Sequence, residues 1–330
     1  MTLAIGPLLL KNRAILAPMA GITDLPFRRL AARFGAGLTI SEMVASGELL
    51  TRGAAAKARA EIDRAAGVAA VQIAGREAAP MAEAARIAED SGAKLIDINM
   101  GCPAKKVTAG WSGAALMREP DHALRLIEAV IGAVSVPVTL KMRLGWDETC
   151  LNAPDLARRA EAAGVAMITV HGRTRTQFYK GSADWAAVAA VRAAISVPLV
   201  VNGDITDEAS ARRALALSGA EAVMIGRGAQ GAPWIPGAIG AALDGCEAPA
   251  PPTGGALGDL IVEHYEAMLG FYGVDLGLRV ARKHLGWWLE RLPCGAALRA
   301  RVIRLTDPAE VIGAIRSGIE EAAAPRRRAA

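Results

Sequence analysis

The chain has 330 residues, of which 52% are hydrophobic, so it is long enough for one large domain with an ample buried core and a smaller second domain. No stretch approaches the roughly 18 uninterrupted apolar residues that a membrane-spanning helix needs, and the N-terminus has no basic segment. Neither a membrane anchor nor a signal peptide is therefore expected. The net charge of +5 by itself favours nucleic-acid binding only weakly.

The four cysteines are far apart, at positions 102, 150, 246 and 294. They form no CxxC motif, and no histidine lies at metal-ligand spacing from them. Neither disulfides nor a metal site is therefore expected. This cysteine usage is typical of a reducing compartment, so we expect a cytoplasmic protein.

Short runs rich in leucine or β-branched residues recur along the chain, and each is followed by a polar or glycine-containing loop and then an alanine-rich helical pattern. The runs are Ala14–Ala17, Leu38–Ser41, Ala70–Ile73, Leu95–Ile98, Val138–Lys141, Met167–Val170, Leu199–Val201 and Ala222–Ile225. This alternation predicts βαβ units with a parallel sheet. Eight such units in about 245 residues match a (β/α)8 TIM barrel. A doubly wound sheet is the competing α/β fold, but no GxGxxG motif follows the first strand.

Capping residues and glycines indicate where several helices begin and end. The expected helices span Pro26–Phe34, Glu77–Glu89, Asp155–Ala163 and Asp207–Leu217. The longest connection between a strand and the next helix follows the fourth strand. We expect it to run without a helix from Met100 through Trp111 to Gly113, as an active-site loop does.

A cysteine stands where the fourth strand ends. Gly101 and Pro103 stop the strand, and Cys102 lies between them, with Lys105 and Lys106 close behind. The C-terminal ends of the strands are where a β/α barrel carries its chemistry. The alternative is a small, buried structural cysteine. Its position at the strand end favours a catalytic thiol.

The ends of the other strands bring small, amide and basic residues and one aspartate to the same mouth of the expected barrel. These residues are Ala17, Pro18, Met19, Gln72, Asn99, Lys141, Arg143, His171, Arg173, Arg175, Asn202, Gly203, Asp204, Gly226 and Arg227. A lysine that closes an apolar strand is costly unless it meets an anion or a polar ligand. Glycine-bearing loops after the last two strands match the usual phosphate site of this fold. Any one of these residues could be purely structural, but together they indicate a site for flavin mononucleotide (FMN).

The composition changes after Gly245, where a Pro/Gly-rich linker precedes patterns that are helical only. We therefore divide the chain into a barrel at 1–245 and a helical domain at 246–330, with helices over Leu260–Phe271 and Gly277–Leu292 and more helix up to Gly318. One helix face carries three basic residues, followed a turn later by two tryptophans: Arg279, Arg282 and Lys283, then Trp287 and Trp288. Such a face is either solvated surface or a nucleic-acid contact.

Together these motifs resemble the tRNA-dihydrouridine synthase family. The matching segments are Ala17-Pro18-Met19-Ala20-Gly21-Ile22-Thr23-Asp24, Asn99-Met100-Gly101-Cys102-Pro103, Lys141-Met142-Arg143, His171-Gly172-Arg173-Thr174-Arg175, Asn202-Gly203-Asp204 and Gly226-Arg227. The continuation Ala104–Val107 and the segment Arg282–His284 most resemble the bacterial B-type, once named as a nitrogen-regulation protein.

The resemblance implies an FMN barrel with a helical RNA-binding domain that uses NADPH to reduce the C5–C6 double bond of a uridine in the D-loop of tRNA, at position 17. Cys102 would be the proton donor. FMN would be held by Ala17–Met19, Gln72, Lys141, His171, Asn202–Asp204 and Gly226–Arg227. Uracil or RNA phosphates would meet Asn99, Arg143, Arg173 and Arg175, with Lys105 and Lys106 pointing outward to phosphates. The expected partners are tRNA and NADPH, and the expected state is a monomer without metal or membrane.

Two other functions stay open at this point. An FMN barrel could reduce a free small molecule, as dihydroorotate dehydrogenase-like enzymes do, although such enzymes need no basic helical domain. A non-catalytic nitrogen-regulation protein is the second alternative. It would keep Cys102, Lys141 and the phosphate loops without using them.

Overall fold

The computed structural model describes residues 2–51, 53–63, 68–248, 250–293 and 295–323. Cys294, one of the cysteines considered above, lies outside the described residues. The residue contacts divide the chain into two units, Met1–Ala229 with Trp234–Ala248, and Gln230–Pro233 with Pro249–Ala330.

The first unit is a parallel barrel preceded by an antiparallel hairpin. The hairpin pairs β1 (Leu3–Ile5) with β2 (Leu8–Leu10). Eight strands form the barrel: β3 (Ala14–Leu16), β4 (Leu38–Ile40), β6 (Ala69–Ala74), β7 (Leu95–Met100), β8 (Val138–Arg143), β9 (Met167–His171), β10 (Leu199–Asn202) and β11 (Ala222–Ile225). It closes where β11 pairs with β3 and where β4 pairs with β6, while the two-residue β5 (Val44–Ala45) adds to β6. The predicted (β/α)8 barrel is confirmed, and closure rules out a doubly wound sheet.

Side chains alternate along each barrel strand, so that one set faces the surrounding helices and the other faces the barrel interior. On β7, Ile96, Ile98 and Met100 belong to the large apolar cluster that includes the surrounding helices, whereas Leu95 belongs to a second cluster shared with the hairpin and other strands. Above Leu95, the inward positions change from apolar to polar residues. Gln72, Asp97 and Thr139 lie side by side on β6, β7 and β8 and are fully buried. The hairpin therefore covers the apolar end of the interior, and the polar layer leads to the C-terminal mouth.

Helices follow the strands as the alternation predicts. Asp24 caps α1 by accepting a hydrogen bond from the Phe27 amide at 3.0 Å, and Asp207 caps α9 through a capping box with Ser210. The helices of this unit are α1 (Leu25–Arg33), α2 (Ser46–Leu50), α3 (Ala54–Ala60), α4 (Ala78–Asp90), α5 (Lys105–Ala109), α6 (Pro120–Ile131), α7 (Ala153–Ala163), α8 (Trp185–Arg192), α9 (Glu208–Ser218) and α10 (Ile235–Leu243).

The connection after β7 differs from the expected irregular loop. The short helix α5 starts at Lys105, only five residues after the end of β7 at Met100, and a 3-10 helix follows at Gly113–Arg118. The Ala104 carbonyl accepts hydrogen bonds from the amides of Val107 and Thr108, which starts the turn. The expectation of a helix-free stretch from Met100 to Gly113 is therefore wrong, because residues 104–109 have no helix breaker before Gly110.

The second unit is helical, with α11 (Gly254–Tyr272), α12 (Val274–Glu290), α13 (Gly295–Val302) and α14 (Pro308–Ala323). Gly273 alone separates α11 from α12, and its φ of +76° suits glycine. Tyr265, Trp288 and Ile315 are buried in this unit. In the described part of the chain, no helix is long and apolar enough to cross a membrane.

Candidate active site

Lys141 places a positive charge among amide groups at the barrel mouth. It is paired in register with Asn99 on β7, and its Nζ donates a hydrogen bond to Asn202 Oδ1 at 3.1 Å. Asn202 in turn donates from Nδ2 to the Met224 carbonyl at 2.8 Å, which fixes the direction of its amide. Burial and the charge of Arg143 lower the pKa of Lys141 to about 8. The mouth thus holds an ammonium group that loses its proton more readily than an ordinary lysine does.

Cys102 is half-buried, and two hydrogen bonds to its backbone hold it in place. Its amide donates to Asn99 Oδ1 at 2.9 Å, and its carbonyl accepts from the Ala114 amide at 3.0 Å. Gly113, with φ +59°, lets its segment pass close to the Cys102 carbonyl. A Cβ at this position would lie 2.9 Å from the Cys102 carbonyl oxygen. The thiol lies close enough to Lys141 and Arg143 to interact with both charges.

Gln72 and Asp97 form a buried polar pair beneath this mouth. Gln72 Nε2 donates to Asp97 Oδ2 at 2.6 Å, and Thr139 Oγ1 donates to Asp97 Oδ1 at 2.6 Å. Asn99 Nδ2 donates to Gln72 Oε1 at 2.7 Å. Burial raises the pKa of Asp97 to about 6, although the two hydrogen bonds and the charge of Lys141 oppose this shift. The structure therefore brings the predicted residues Gln72 and Asn99 into direct contact.

Arg143 joins two loops of the mouth from a buried position. Its guanidinium donates to the Gly101 carbonyl at 2.8 Å, to the Thr174 carbonyl at 2.8 Å and to the Phe178 carbonyl at 2.9 Å. Burial lowers its pKa to about 10. Arg143 thus supports the backbone on both sides of the mouth, and its contact with substrate stays a prediction.

Arg173, Asp204 and Arg227 form an ion cluster at the loops after β9, β10 and β11. Arg173 is buried and donates to both Asp204 oxygens, at 3.0 and 2.5 Å, while Arg227 is half exposed and lies 3.4 Å from Asp204 Oδ1. Burial raises the pKa of Asp204, but hydrogen bonds from Arg173 and Ala183 and the charges of Arg173 and Arg227 outweigh it and lower the pKa. One carboxylate thus faces two guanidinium groups, which leaves this side of the mouth positive.

His171 lies between these cations. Its Nε2 is 3.3 Å from Arg173 Nη1, and its ring leaves no room for a side chain on Gly203, where a Cβ would lie 2.8 Å from the ring. Burial and the charges of Lys141, Arg143, Arg173 and Arg227 hold the pKa of His171 well below its ordinary value. A neutral imidazole at this place offers one donor and one acceptor.

The sequence patterns did not reveal an alternating stack of aromatic rings and guanidinium groups across three mouth loops. The Arg118 Cζ lies 5.0 Å from the Trp111 ring centroid and 4.1 Å from that of Trp146, and the Arg175 Cζ lies 4.6 Å from Trp146 and 4.8 Å from Phe178. We call these five residues the cation–aromatic stack. Arg175 also donates to Thr108 Oγ1 at 3.1 Å, which ties the stack to α5. Its two ends, Trp111 and Phe178, both have positive φ.

Tyr179 is a further residue that the sequence patterns missed. The residue is 53% exposed, and its ring lies 5.5 Å from the Arg143 Cζ, 5.1 Å from the Arg227 Cζ and 6.4 Å from the His171 ring. An exposed aromatic ring flanked by two guanidinium groups fits a flat, polar ligand. The only available signal was an aromatic residue in the loop that already held His171 and Arg173.

The predicted basic residues are exposed in both units. Lys105 and Lys106 are exposed on α5, and Arg279, Arg282 and Lys283 are exposed on α12. Of the tryptophans that follow on α12, Trp288 is buried and donates from Nε1 to His264 Nδ1 at 3.1 Å, so it belongs to the helical core. Trp288 therefore contributes no exposed ring to the basic face of α12.

The small residues predicted for the cofactor lie where β3 and β11 meet. A Cβ on Gly226 would lie 3.6 Å from Met19 Sδ and 3.9 Å from the Ala17 Cβ, and Pro18 stands between those two residues in the chain. Among the described residues, no group of three or more His, Cys, Asp or Glu side chains is arranged to hold a metal ion.

Solved structures share this fold at low sequence identity. A morphinone reductase variant in complex with tetrahydroNAD matches with a TM-score of 0.55 at 17% identity, over 72% of this chain and 89% of that chain. An old yellow enzyme homologue from Zymomonas mobilis matches with a TM-score of 0.52 at 17% identity, over 70% of this chain and 89% of that chain. These likenesses support the barrel architecture.

Sequence relatives are far more similar. A protein of Rhodobacter capsulatus named "Probable tRNA-dihydrouridine synthase" is 66% identical over 322 residues, which cover 97% of this chain and 99% of the relative. One of Rhizobium leguminosarum with the same name is 55% identical over 324 residues, covering 97% of this chain and 99% of the relative. The tRNA-dihydrouridine synthase B of Xanthomonas axonopodis is 49% identical over 308 residues, covering 92% of both chains. The family model described as dihydrouridine synthase (Dus) matches residues 15–324, so the chain belongs to the dihydrouridine synthase family.

Proposed function

We propose that this protein reduces the C5–C6 double bond of a uridine in tRNA to 5,6-dihydrouridine, with FMN as its bound cofactor and NADPH as the reductant. The observation that carries the proposal is the position of Cys102, which lies at the barrel mouth beside Lys141 and Arg143 in a chain of the dihydrouridine synthase family. The relatives' names supply the substrate class.

The residues at the mouth fit FMN. The partly buried Lys141 ammonium and the Asn202 and Gln72 amides suit the polar edge of a flavin ring, and the short side chain of Ala17 beside Gly226 lets a flat group approach. At the other side, Arg173 and Arg227 outnumber Asp204, so the excess positive charge suits a phosphate. Bound reduced FMN would supply the hydride that adds to C6 of uracil.

Cys102 supplies the proton that completes the reduction at C5. A thiol can act as a general acid by giving up its proton to a carbon that develops negative charge. The negative charge that develops on the uracil is stabilised by the neighbouring cations Lys141 and Arg143. Asn99, whose Oδ1 accepts from the Cys102 amide, holds the backbone of Cys102 in place.

The RNA must present an unstacked uridine. A base in folded tRNA reaches a barrel mouth only when it is extruded, at a cost of a few kcal/mol. The exposed Lys105 and Lys106 beside Cys102, and the exposed face of α12 with Arg279, Arg282 and Lys283, would bind the phosphates. Tyr179 would contact the base from the other side of the mouth. We place the uridine in the D-loop at position 17, and the protein in the cytoplasm as a monomer.

Mapping dihydrouridine in tRNA from a deletion strain tests this function. Loss of dihydrouridine at one D-loop position, restored by the wild-type protein, is the expected result. The purified protein should be yellow, and NADPH should bleach its flavin absorbance. An unchanged tRNA pattern with intact flavin reduction would instead favour a reductase of a free small molecule. A colourless protein that does not bind FMN would favour the non-catalytic alternative.

A further inference from the structure

A chain of hydrogen bonds runs from Asp97 to the backbone of Cys102, and each link determines the direction of the next. A carboxylate oxygen can only accept, so Gln72 must turn its Nε2 towards Asp97 and its Oε1 towards Asn99. Gln72 Oε1 can also only accept, so Asn99 must turn its Nδ2 towards Gln72. Asn99 Oδ1 then faces the amides of Gly101 and Cys102, at 3.2 and 2.9 Å.

We propose that Asp97 is a positioning residue for Cys102 that acts through the side-chain amides of Gln72 and Asn99. This inference rests on the proposed function, in which Cys102 delivers the proton. Without an acceptor at position 97, the Gln72 amide could reverse and present Nε2 to Asn99. Asn99 would then turn its own Nδ2 towards the Cys102 amide, and two donors would face each other. The backbone of Cys102 would lose the acceptor that holds it.

The surroundings of Asp97 show why an acceptor is needed there. It lies fully buried in the barrel interior, one layer above the apolar residues, where an ionisable side chain is costly unless every oxygen is bonded. Thr139 satisfies the second oxygen, and because a hydroxyl can donate or accept, it tolerates either a carboxylate or a group with a donor. Lys141 on β8 is the charged group whose field reaches Asp97.

This geometry separates the acceptor role of Asp97 from its charge. In Asp97→Asn, the new amide oxygen can still accept from Gln72, while its nitrogen donates to Thr139 Oγ1. In Asp97→Leu, a side chain of similar size removes the acceptor. If Asp97 acts through the hydrogen-bond chain, Asn preserves the position of Cys102 and Leu does not. If it acts through its charge on Lys141, both variants fail alike.

The experiment compares the holoenzymes of wild type, Asp97→Asn and Asp97→Leu, with Thr139→Val as a matched control that removes the other hydrogen bond to Asp97. One readout is single-turnover dihydrouridine formation from prereduced enzyme. The other is the rate at which iodoacetamide alkylates Cys102, measured by peptide mass spectrometry with Cys150 as internal reference. A misplacement of about 1 Å can cost on the order of 10²-fold in rate, and we expect a loss of that order for Asp97→Leu only. Its Cys102 alkylation rate should also change relative to Cys150.

Wild-type rates in Asp97→Leu, or equal losses in Asp97→Asn and Asp97→Leu, would overturn the proposal. So would a Thr139→Val variant that shifts Cys102 alkylation as much as Asp97→Leu does. If Asp97→Leu fails to fold, Asp97→Val removes the same acceptor with a residue suited to a strand. If wild type forms no dihydrouridine, the proposed function fails, but the alkylation rates still test whether Asp97 positions Cys102.

Discussion

Basic side chains lie at the mouth of the barrel and on one face of α12, and the two groups differ in burial and in partners. Arg143 and Arg173 are buried, and they donate to backbone carbonyls and to Asp204. Arg282 and Lys283 are exposed on α12. Buried charges with fixed partners act on a ligand in a defined geometry, whereas exposed charges act on a polyanion through a field that salt screens.

The proposed function places chemistry in the barrel and RNA affinity at the exposed charges. Changes at the buried mouth residues should therefore impair the chemistry and leave RNA affinity intact. Changes at the exposed residues of α12 should do the reverse. The experiments below test that separation, in order of decreasing expected effect.

Cys102→Ala should stop dihydrouridine formation while leaving flavin chemistry nearly intact. Removing a positioned general acid costs on the order of 10²-fold or more in rate, whereas reduction of the flavin by NADPH needs no thiol. Single-turnover reduction of tRNA and bleaching of flavin absorbance are measured on the same preparation. Cys150→Ala, at a half-buried cysteine of the same unit, is the control. Near-normal dihydrouridine formation by Cys102→Ala would make this cysteine a structural residue.

FMN affinity should fall as the pH rises through about 8 and the Lys141 ammonium loses its proton. The sign follows from the lowered pKa of Lys141, since the group is charged below that value and neutral above it. Fluorescence titration of the flavin-free protein with FMN from pH 6.5 to 9.5 measures this dependence. Lys141→Met should bind FMN more weakly at pH 7 and lack the step near pH 8. A step of equal size in this variant would assign it to another group.

Charge reversal at Arg282→Glu and Lys283→Glu should weaken tRNA binding without changing FMN content or flavin reduction. Each lost phosphate contact should reduce the slope of log K against log salt by about 0.7–0.9. Affinity is measured at several salt concentrations. Arg316→Glu, on α14 of the same unit, makes the same change of charge per residue at another exposed arginine and is the control. Equal affinity and slope in wild type and the double variant would show that this face of α12 is solvated surface only.

Trp146→Leu should have the smallest effect, a loss of about 1–2 kcal/mol in the free energy of unfolding measured with urea. The ring contacts two guanidinium groups of the cation–aromatic stack, and each such contact contributes about 0.5–1 kcal/mol at exposed sites. Trp111→Leu removes one contact and should cost about half as much. Equal losses in the two variants would mean that the energies come from packing and not from the stack.

The architecture of the barrel was predictable from the sequence because its signals are local. Strand and helix periods, the Asp24 cap and the glycines at helix ends each act within a few residues, and the observed helix α7 (Ala153–Ala163) contains the predicted span Asp155–Ala163. The helix α5 was missed because an active-site loop and a short helix have similar polar compositions. Strand order then brought the predicted mouth residues together, since parallel strands end at one edge.

The sequence by itself determined the family, the eight strands and which residues stand at their C-terminal ends. Only the tertiary structure decided which of those residues are buried and what they bind. Arg173 reaches Asp204 across 31 positions, and Arg175 reaches Thr108 across 67. The direction of the amide chain from Asp97 to Cys102 also needed three-dimensional contacts between strands. Hydrogen bonds and ring contacts depend on distances of a few ångströms between segments far apart in the chain, and no local pattern specifies them.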